Sequence, residues 1–216
     1  MKKHFDASLY LVTDQAACQG RDLLGVIQEA VQGGVTAVQL REKQIATRPF
    51  VDLARRIKAL LADTPVPLII NDRVDVALTV GAEGVHLGQD DLHPREARRL
   101  LGPEPLIGLS VNTPEQIREA GRLEVDYLGA GPVFPTPTKS DHKAPLGLEG
   151  LREMTALARV PVVAIGSISV EVCPKVLQTG VDGIAVVSAV CSAPSPEQAA
   201  RRLRACVSAF QNTDHE

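Results

Sequence analysis

Residues 66–91 read VPLIINDRVDVALTVGAEGVHLGQDD, and this stretch decides the fold. Residues 68–71 and 84–87 are short apolar runs without polar alternation, the pattern of strands buried on both faces. Residues 74–80 between them fit a short helix, with Gly81 placed where that helix should stop. Val66-Pro67 and Glu83-Gly84 read as plain turns leading into the strands. Asn71-Asp72 and Gly88-Gln89-Asp90-Asp91, at the strand exits, are crowded with polar groups.

The same unit extends in both directions. Apolar runs at 9–13, 37–40, 106–109, 127–130, 162–165 and 184–187 bring the expected strands to eight. Helical spacing links them: Leu23, Leu24, Ile27, Ala30 and Val31 share one face, as do Phe50, Leu53, Ala54, Ile57 and Leu60. Further helices fit 94–101, 114–120, 148–158, 170–178 and 196–210, several announced by Thr113-Pro114, Ser195-Pro196 or Ser169. Gly-Gly-Val-Thr, Gly-Ala-Glu-Gly and Gly-Val-Asp-Gly return every ~45 residues, about two βα units of a quarter-barrel. The expectation is an α/β chain folded as one (β/α)8 TIM barrel domain over residues 1–216. A doubly wound open sheet is the alternative, but no GxGxxG follows the first strand.

Composition narrows the function. The chain has 216 residues, 44% hydrophobic, and a net charge of -3 with both signs interleaved, so neither a nucleic-acid stripe nor a polybasic membrane patch stands out. Trp is absent and aromatics make up 3%, which disfavours base-stacking platforms. Cys18, Cys173, Cys191 and Cys206 are scattered without a CxxC pair and read as free thiols. Asp6 interrupts the start of a signal peptide, and no apolar run reaches ~18 residues, so a cytoplasmic protein is expected.

In a barrel of this kind the chemistry gathers at the C-terminal strand ends. Those ends carry Thr13-Asp14, Gln39 to Lys43, Asn71-Asp72, Gly88 to Asp91, Ser110, Thr136 to Lys139, Gly166-Ser167 and Ser188. Arg41, Lys43 and Lys139 supply positive charge from different loops, suited to an anion. Asp72 and Asp91 follow neighbouring strands and suit one hard cation such as Mg2+ shared with substrate phosphates. Gly166-Ser167-Ile168 and Val187-Ser188 follow strands seven and eight, where barrels often hold a phosphate on backbone N–H groups. Two phosphate-type sites are therefore expected.

Each piece has a plainer reading. Asp72 could cap the following helix, Asp90-Asp91 could be a solvated helix start, and Arg41 and Lys43 could pair with Glu42 or Asp52. His86 reads more naturally as structural than catalytic, since no partner motif accompanies it.

The motifs together resemble the thiamine-phosphate synthase family. Gln39-Leu40-Arg41-Glu42-Lys43, Asn71-Asp72-Arg73-Val74-Asp75-Val76-Ala77, Gly84 to Asp91 and Gly131 to Lys139 carry the likeness, which runs from about Leu9 to Ser188. The resemblance implies that Gln39, Leu40, Arg41, Glu42, Lys43, Asn71, Ser110 and Lys139 hold an aminopyrimidine diphosphate. Arg41, Lys43, Lys139 and Ser110 would be the catalytic groups, and Asp72 and Asp91 the magnesium ligands. Thr136, Pro137, Thr138, Gly166, Ser167, Val187 and Ser188 would hold a thiazole phosphate. The reaction implied releases diphosphate and yields thiamine phosphate from small-molecule substrates, with neither nucleic acid nor membrane as partner. The segment 131–147 is expected to close over them and exclude water.

Two positions depart from the family pattern. Ser167 replaces a glycine, which would strain a backbone at positive φ, and Asn112 replaces a histidine. The rivals are a thiazole tautomerase-like relative, which has no need of the full Arg41, Lys43, Asp72, Asp91 and Lys139 set, and a non-catalytic thiazole-phosphate-binding regulator, which should have lost the two carboxylates.

Overall fold

Every apolar run of the sequence forms one strand: β1 (Leu9–Val12), β2 (Ala37–Leu40), β3 (Leu68–Asn71), β4 (Gly84–Leu87), β5 (Leu106–Val111), β6 (Tyr127–Ala130), β7 (Val162–Ile165) and β8 (Gly183–Val186). The computed structural model describes residues 5–136 and 144–213. All neighbouring pairs are parallel, and β1 pairs with β8 as well as β2, so the sheet closes. A closed sheet has no point where strand order reverses, and the doubly wound alternative falls. Helices α1 (Leu23–Gln32), α2 (Thr47–Leu60), α3 (Val74–Val80), α4 (Pro94–Leu101), α5 (Pro114–Ala120), α6 (Gly147–Leu157) and α7 (Cys173–Leu177) connect the strands; α8 (Ser188–Cys191) and α9 (Pro196–Thr213) end the chain.

Side chains alternate across each strand, so one sheet builds two cores. Leu9, Leu11, Val38, Leu40, Leu68 and Ile70 belong to the layer shared with the helices. Tyr10, Val12, Ala37, Ile69, Leu106, Tyr127 and Val163 form a separate cluster inside the barrel. Phe5 stacks on Tyr127 with ring centroids 4.4 Å apart. A Cβ on Gly108 would lie 2.1 Å from Tyr127 Cζ, so a glycine is what lets this large ring occupy the axis. Side chains fill the barrel axis, and the large cavity lies at its mouth.

At the opposite rim the shortest, least exposed ion pair joins α4 to the entry of β6. Arg98 on α4 reaches Asp126 before β6 at 2.7 Å, with side chains only 12% and 17% exposed. Asp126 also accepts the Ile107 N–H, while Arg98 donates to the carbonyls of Gly102 and Pro105. Removing one partner strands the other charge, so Arg98→Ala should cost about 3 kcal/mol. Thermal unfolding should show a fall of several degrees in Tm, with kcat at 25 °C unchanged because the rim lies far from the strand exits.

Differences from the sequence reading are local. β5 runs on to Val111, and β8 ends at Val186 because Val187 leaves the extended region at φ -116, ψ -86. α7 starts at Cys173 rather than 170: the Ser169 hydroxyl bonds the Glu171 carboxylate instead of capping a helix. Thr113 caps α5 as expected, its side chain accepting the Gln116 N–H. Unforeseen are α8 and a short 3-10 turn at Ala16–Cys18, both too brief for a periodic signal. The cysteines are free thiols, yet the fold brings Cys18 to Cys191 and Cys173 to Cys206. Burial pushes the Cys18, Cys173 and Cys191 thiols up, which keeps them unreactive. Among the described residues no helix is long and apolar enough to cross a membrane.

Candidate active site

The strand exits open onto a cavity of about 890 Å3. Its first wall comes from the loops after β2, β3 and β4. Period-two alternation continues past the end of β2, so Arg41 and Lys43 line the cavity. Leu40 and Glu42, expected on the substrate side, take the other parity and their side chains do not line it. Leu40 is fully buried against the helix layer. Glu42 is half-buried, and burial together with the neighbouring Asp14 pushes its carboxyl up.

Arg41 is braced from both ends. Its backbone N–H donates to Thr13 Oγ1 at 3.1 Å, and its guanidinium lies 3.6 Å from Asp14, not from Glu42 or Asp52. Lys43 Nζ sits 2.9 Å from Asp72 Oδ2. Asp72 does not cap α3, whose N-cap is Arg73 with no side-chain bond. Instead Asp72 adopts φ 62, and its N–H donates to the His86 carbonyl at 2.8 Å. A non-glycine residue in the left-handed region is uncommon and turns up where a side chain must be aimed.

Asp72 is aimed at Asp91, and each carboxyl shifts the titration of the other. Burial pushes both up. For Asp72 the neighbouring Asp91 and the Lys43 ammonium outweigh burial and hold it below the usual carboxylate range. For Asp91 burial and the Asp72 charge outweigh the Gly88 N–H, which donates to Asp91 Oδ2 at 2.7 Å, so Asp91 titrates high. Two carboxyls held side by side repel when both are charged, and a hard cation between them would relieve that repulsion.

The second wall comes from the exits of β6, β7 and β8. Thr136, Gly166, Ser167, Val187 and Ser188 all line the cavity. Gly166 has φ 117 and Ser167 has φ 50, so the strain expected of a serine here is real. Ser167 gains a compensating bond: its hydroxyl donates to the Pro135 carbonyl at 2.6 Å, tying the β7 exit to the β6 loop. Pro137, Thr138 and Lys139 lie outside the described residues, as does the middle of the expected closing segment. Asn112 is not on the cavity wall; its N–H donates to Gln116 Oε1.

The floor holds Asn71 and Ser110. Gln39 lies one level lower, beside a small cavity of about 20 Å3 that it shares with Ser110 and His86. His86, read from the sequence as structural, is buried and held on both ring nitrogens: its Nε2 is 2.9 Å from Ser110 Oγ and its Nδ1 is 3.1 Å from the Tyr127 hydroxyl. Strand parity carried the signal, since Gly84 and His86 alternate with the outward Val85 and Leu87.

Over most of its length the chain is similar to known proteins. The family model for thiamine monophosphate synthase matches residues 9–190. The chain is 56% identical to thiamine-phosphate synthase of Albidiferax ferrireducens over 93% of its own length and 92% of that protein's. It is 55% identical to the Solidesulfovibrio magneticus enzyme of the same name, covering 94% and 97%. Among solved structures, thiamine phosphate pyrophosphorylase from Pyrococcus furiosus superposes with a TM-score of 0.87 at 39% identity, covering 95% of this chain and 98% of that one. The 3-hexulose-6-phosphate synthase of Salmonella typhimurium superposes at 0.74 with 16% identity and shares the fold alone. With the family model matching from β1 through α8, the chain belongs to the thiamine monophosphate synthase family.

Proposed function

We propose that this chain makes thiamine phosphate. It transfers the 4-amino-2-methylpyrimidin-5-ylmethyl group from its diphosphate to 4-methyl-5-(2-phosphooxyethyl)thiazole and releases diphosphate. The observation that carries the reading is one cavity with two sets of groups suited to anions on opposite walls. Arg41, Lys43, Asp72 and Asp91 stand on one side, and Thr136, Gly166, Ser167 and Ser188 on the other.

The donor set fits magnesium. Asp72 and Asp91 offer only carboxylate oxygens, and among the described residues no cluster of three or more His, Cys, Asp or Glu side chains forms a complete cage. Mg2+ is commonly held by one or two carboxylates with water and substrate phosphates in the remaining positions. Asp72 and Asp91 would hold it, and the chemistry it would supply there is positive charge against the leaving diphosphate.

The chain's own residues do the rest. Arg41 and Lys43 hold the diphosphate oxygens, joined by Lys139 from the segment outside the described residues. The C–O bond breaks with its electron pair leaving on diphosphate, and the ring amino group feeds the electron-poor methylene carbon. The thiazole nitrogen then donates its lone pair to that carbon, aligned by Ser188, Ser167 and the 131–136 loop around its phosphate. Preorganised donors of this kind are worth about 10²–10³ in rate each. No nucleophile is needed, consistent with the inert cysteines. On this reading the partners are small molecules, and the enzyme works in the cytoplasm.

Purified protein given both substrates and Mg2+ should form thiamine phosphate and diphosphate in equal amounts, followed by chromatography. Binding of the thiazole phosphate without any product would overturn the reading in favour of a regulator or tautomerase.

A further inference from the structure

Beneath the cavity, four hydrogen bonds cross the barrel end to end. Gln39 Nε2 donates to the Tyr10 hydroxyl at 2.9 Å, and the Tyr10 and Tyr127 hydroxyls are 2.8 Å apart. The Tyr127 hydroxyl is 3.1 Å from His86 Nδ1, and His86 Nε2 is 2.9 Å from Ser110 Oγ. The two ends, Gln39 and Ser110, line the small lower cavity, and Ser110 lines the large one as well.

One direction lets every proton of this chain find an acceptor. An amide NH2 can only donate, so the Tyr10 oxygen accepts from Gln39. Tyr10 then has one proton left to give, and the Tyr127 oxygen is placed to receive it. Tyr127 in turn can give its proton to His86 Nδ1, which accepts in the tautomer protonated on Nε2. His86 then carries its proton on Nε2 and donates it to Ser110 Oγ. The Ser110 proton is left to point into the site, and the Gln39 carbonyl oxygen is the end of that amide not committed to Tyr10. Burial pushes both phenols far up, so neither loses the proton on which the order depends.

We propose that Tyr10 and Tyr127 are positioning residues that impose one hydrogen-bond polarity on the row from Gln39 to Ser110, so that Ser110, the member that reaches the large cavity, presents its hydroxyl as a donor to a ring nitrogen of a planar aminated heterocycle. The choice of heterocycle rests on the aminopyrimidine reading above; the polarity does not. Neither tyrosine lines the large cavity, so each acts only through its neighbours. The geometry also accounts for Gly108 and Gly129, where a Cβ would come within 2.6 Å and 3.0 Å of the His86 ring.

The test reads the His86 tautomer by long-range 1H–15N correlation spectra of 15N-labelled protein without substrate. In the unaltered protein His86 should carry its proton on Nε2. Gln39→Glu has only acceptors, so Tyr10 must donate to it. The whole chain then reverses, and His86 should become protonated on Nδ1, three hydrogen bonds away. In Tyr127→Phe the link is cut: the Nε2 preference should be lost, and adding Gln39→Glu should have no further effect on the ring. Tyr127→Phe should also raise KM for the aminopyrimidine diphosphate about tenfold, in line with one lost hydrogen bond. KM for the thiazole phosphate should stay unchanged, a split that general loosening would not give. A proton on Nδ1 in the unaltered protein, or a tautomer indifferent to both substitutions, overturns the relay. A protein that shows the switch yet forms no thiamine phosphate keeps the relay and refutes the reaction.

Discussion

Chelation with EDTA should stop thiamine phosphate formation, excess Mg2+ should restore it, and Asp72→Asn should lower kcat by about 10²–10³-fold even with excess Mg2+. Asparagine is the informative replacement because it tolerates the left-handed region, and Asp72 sits at φ 62. The backbone N–H bond to His86 is retained, so the barrel should melt at nearly its usual temperature. What is lost is charge. A neutral amide no longer pairs with the Lys43 ammonium and offers a cation one weak oxygen instead of a carboxylate. Asp91→Asn should act in the same direction. The double variant should be little worse than either single one, since the pair works as a unit. Kinetics at saturating substrate with an Mg2+ titration decide the matter. A kcat within threefold of the unaltered protein would remove Asp72 from the metal-holding role.

The barrel was legible because its strands are buried on both faces. Runs such as Leu68-Ile69-Ile70 and Val162-Val163-Ala164 have no polar residue to blur them, and glycines mark where helices stop. Polar residues gathered at one set of strand ends then oriented the barrel. What stayed hidden depends on neighbours in space. Asp72 reads equally well as a helix cap or a ligand until its φ and its contact with Asp91 are known. Glu42 sits inside a persuasive motif, but its parity turns it toward Asp14. Tyr10, Tyr127 and His86 lie 41 to 117 positions apart in sequence, so their hydrogen bonds leave no local pattern. The two cysteine pairings are invisible for the same reason. Short elements such as α8 escape because four residues complete barely one helical turn.

Gly166→Ala should damage the second wall as selectively as Asp72→Asn damages the first. At φ 117 the backbone of Gly166 occupies a region closed to side chains, and forcing one there costs about 1–3 kcal/mol. A Cβ would also lie 2.8 Å from Pro132 Cα, Pro132 Cβ and the Val133 nitrogen, closer than real Cβ contacts come. Backbone has to move, and the nearest movable part is the segment that β7 holds through Val133 N–H to the Ile165 carbonyl and Phe134 N–H to the Gly166 carbonyl. Strain and lost bonds together should destabilise the protein by about 3 kcal/mol, a Tm fall of roughly 6–10 °C. Below that temperature, displacement of Thr136 and Ser167 should lower kcat/KM for the thiazole phosphate by about 10²-fold or more. KM for the aminopyrimidine diphosphate should stay within about threefold, because Arg41, Lys43 and Asp72 hang on other strands. Ser167→Ala is the control: it keeps the backbone and removes only the bond to Pro135, so it should cost less than about tenfold. If Gly166→Ala instead raised both KM values equally, the two walls would not be separate subsites. The cavity would then have to be read as one undivided site, with the β7 exit contributing to diphosphate binding as well.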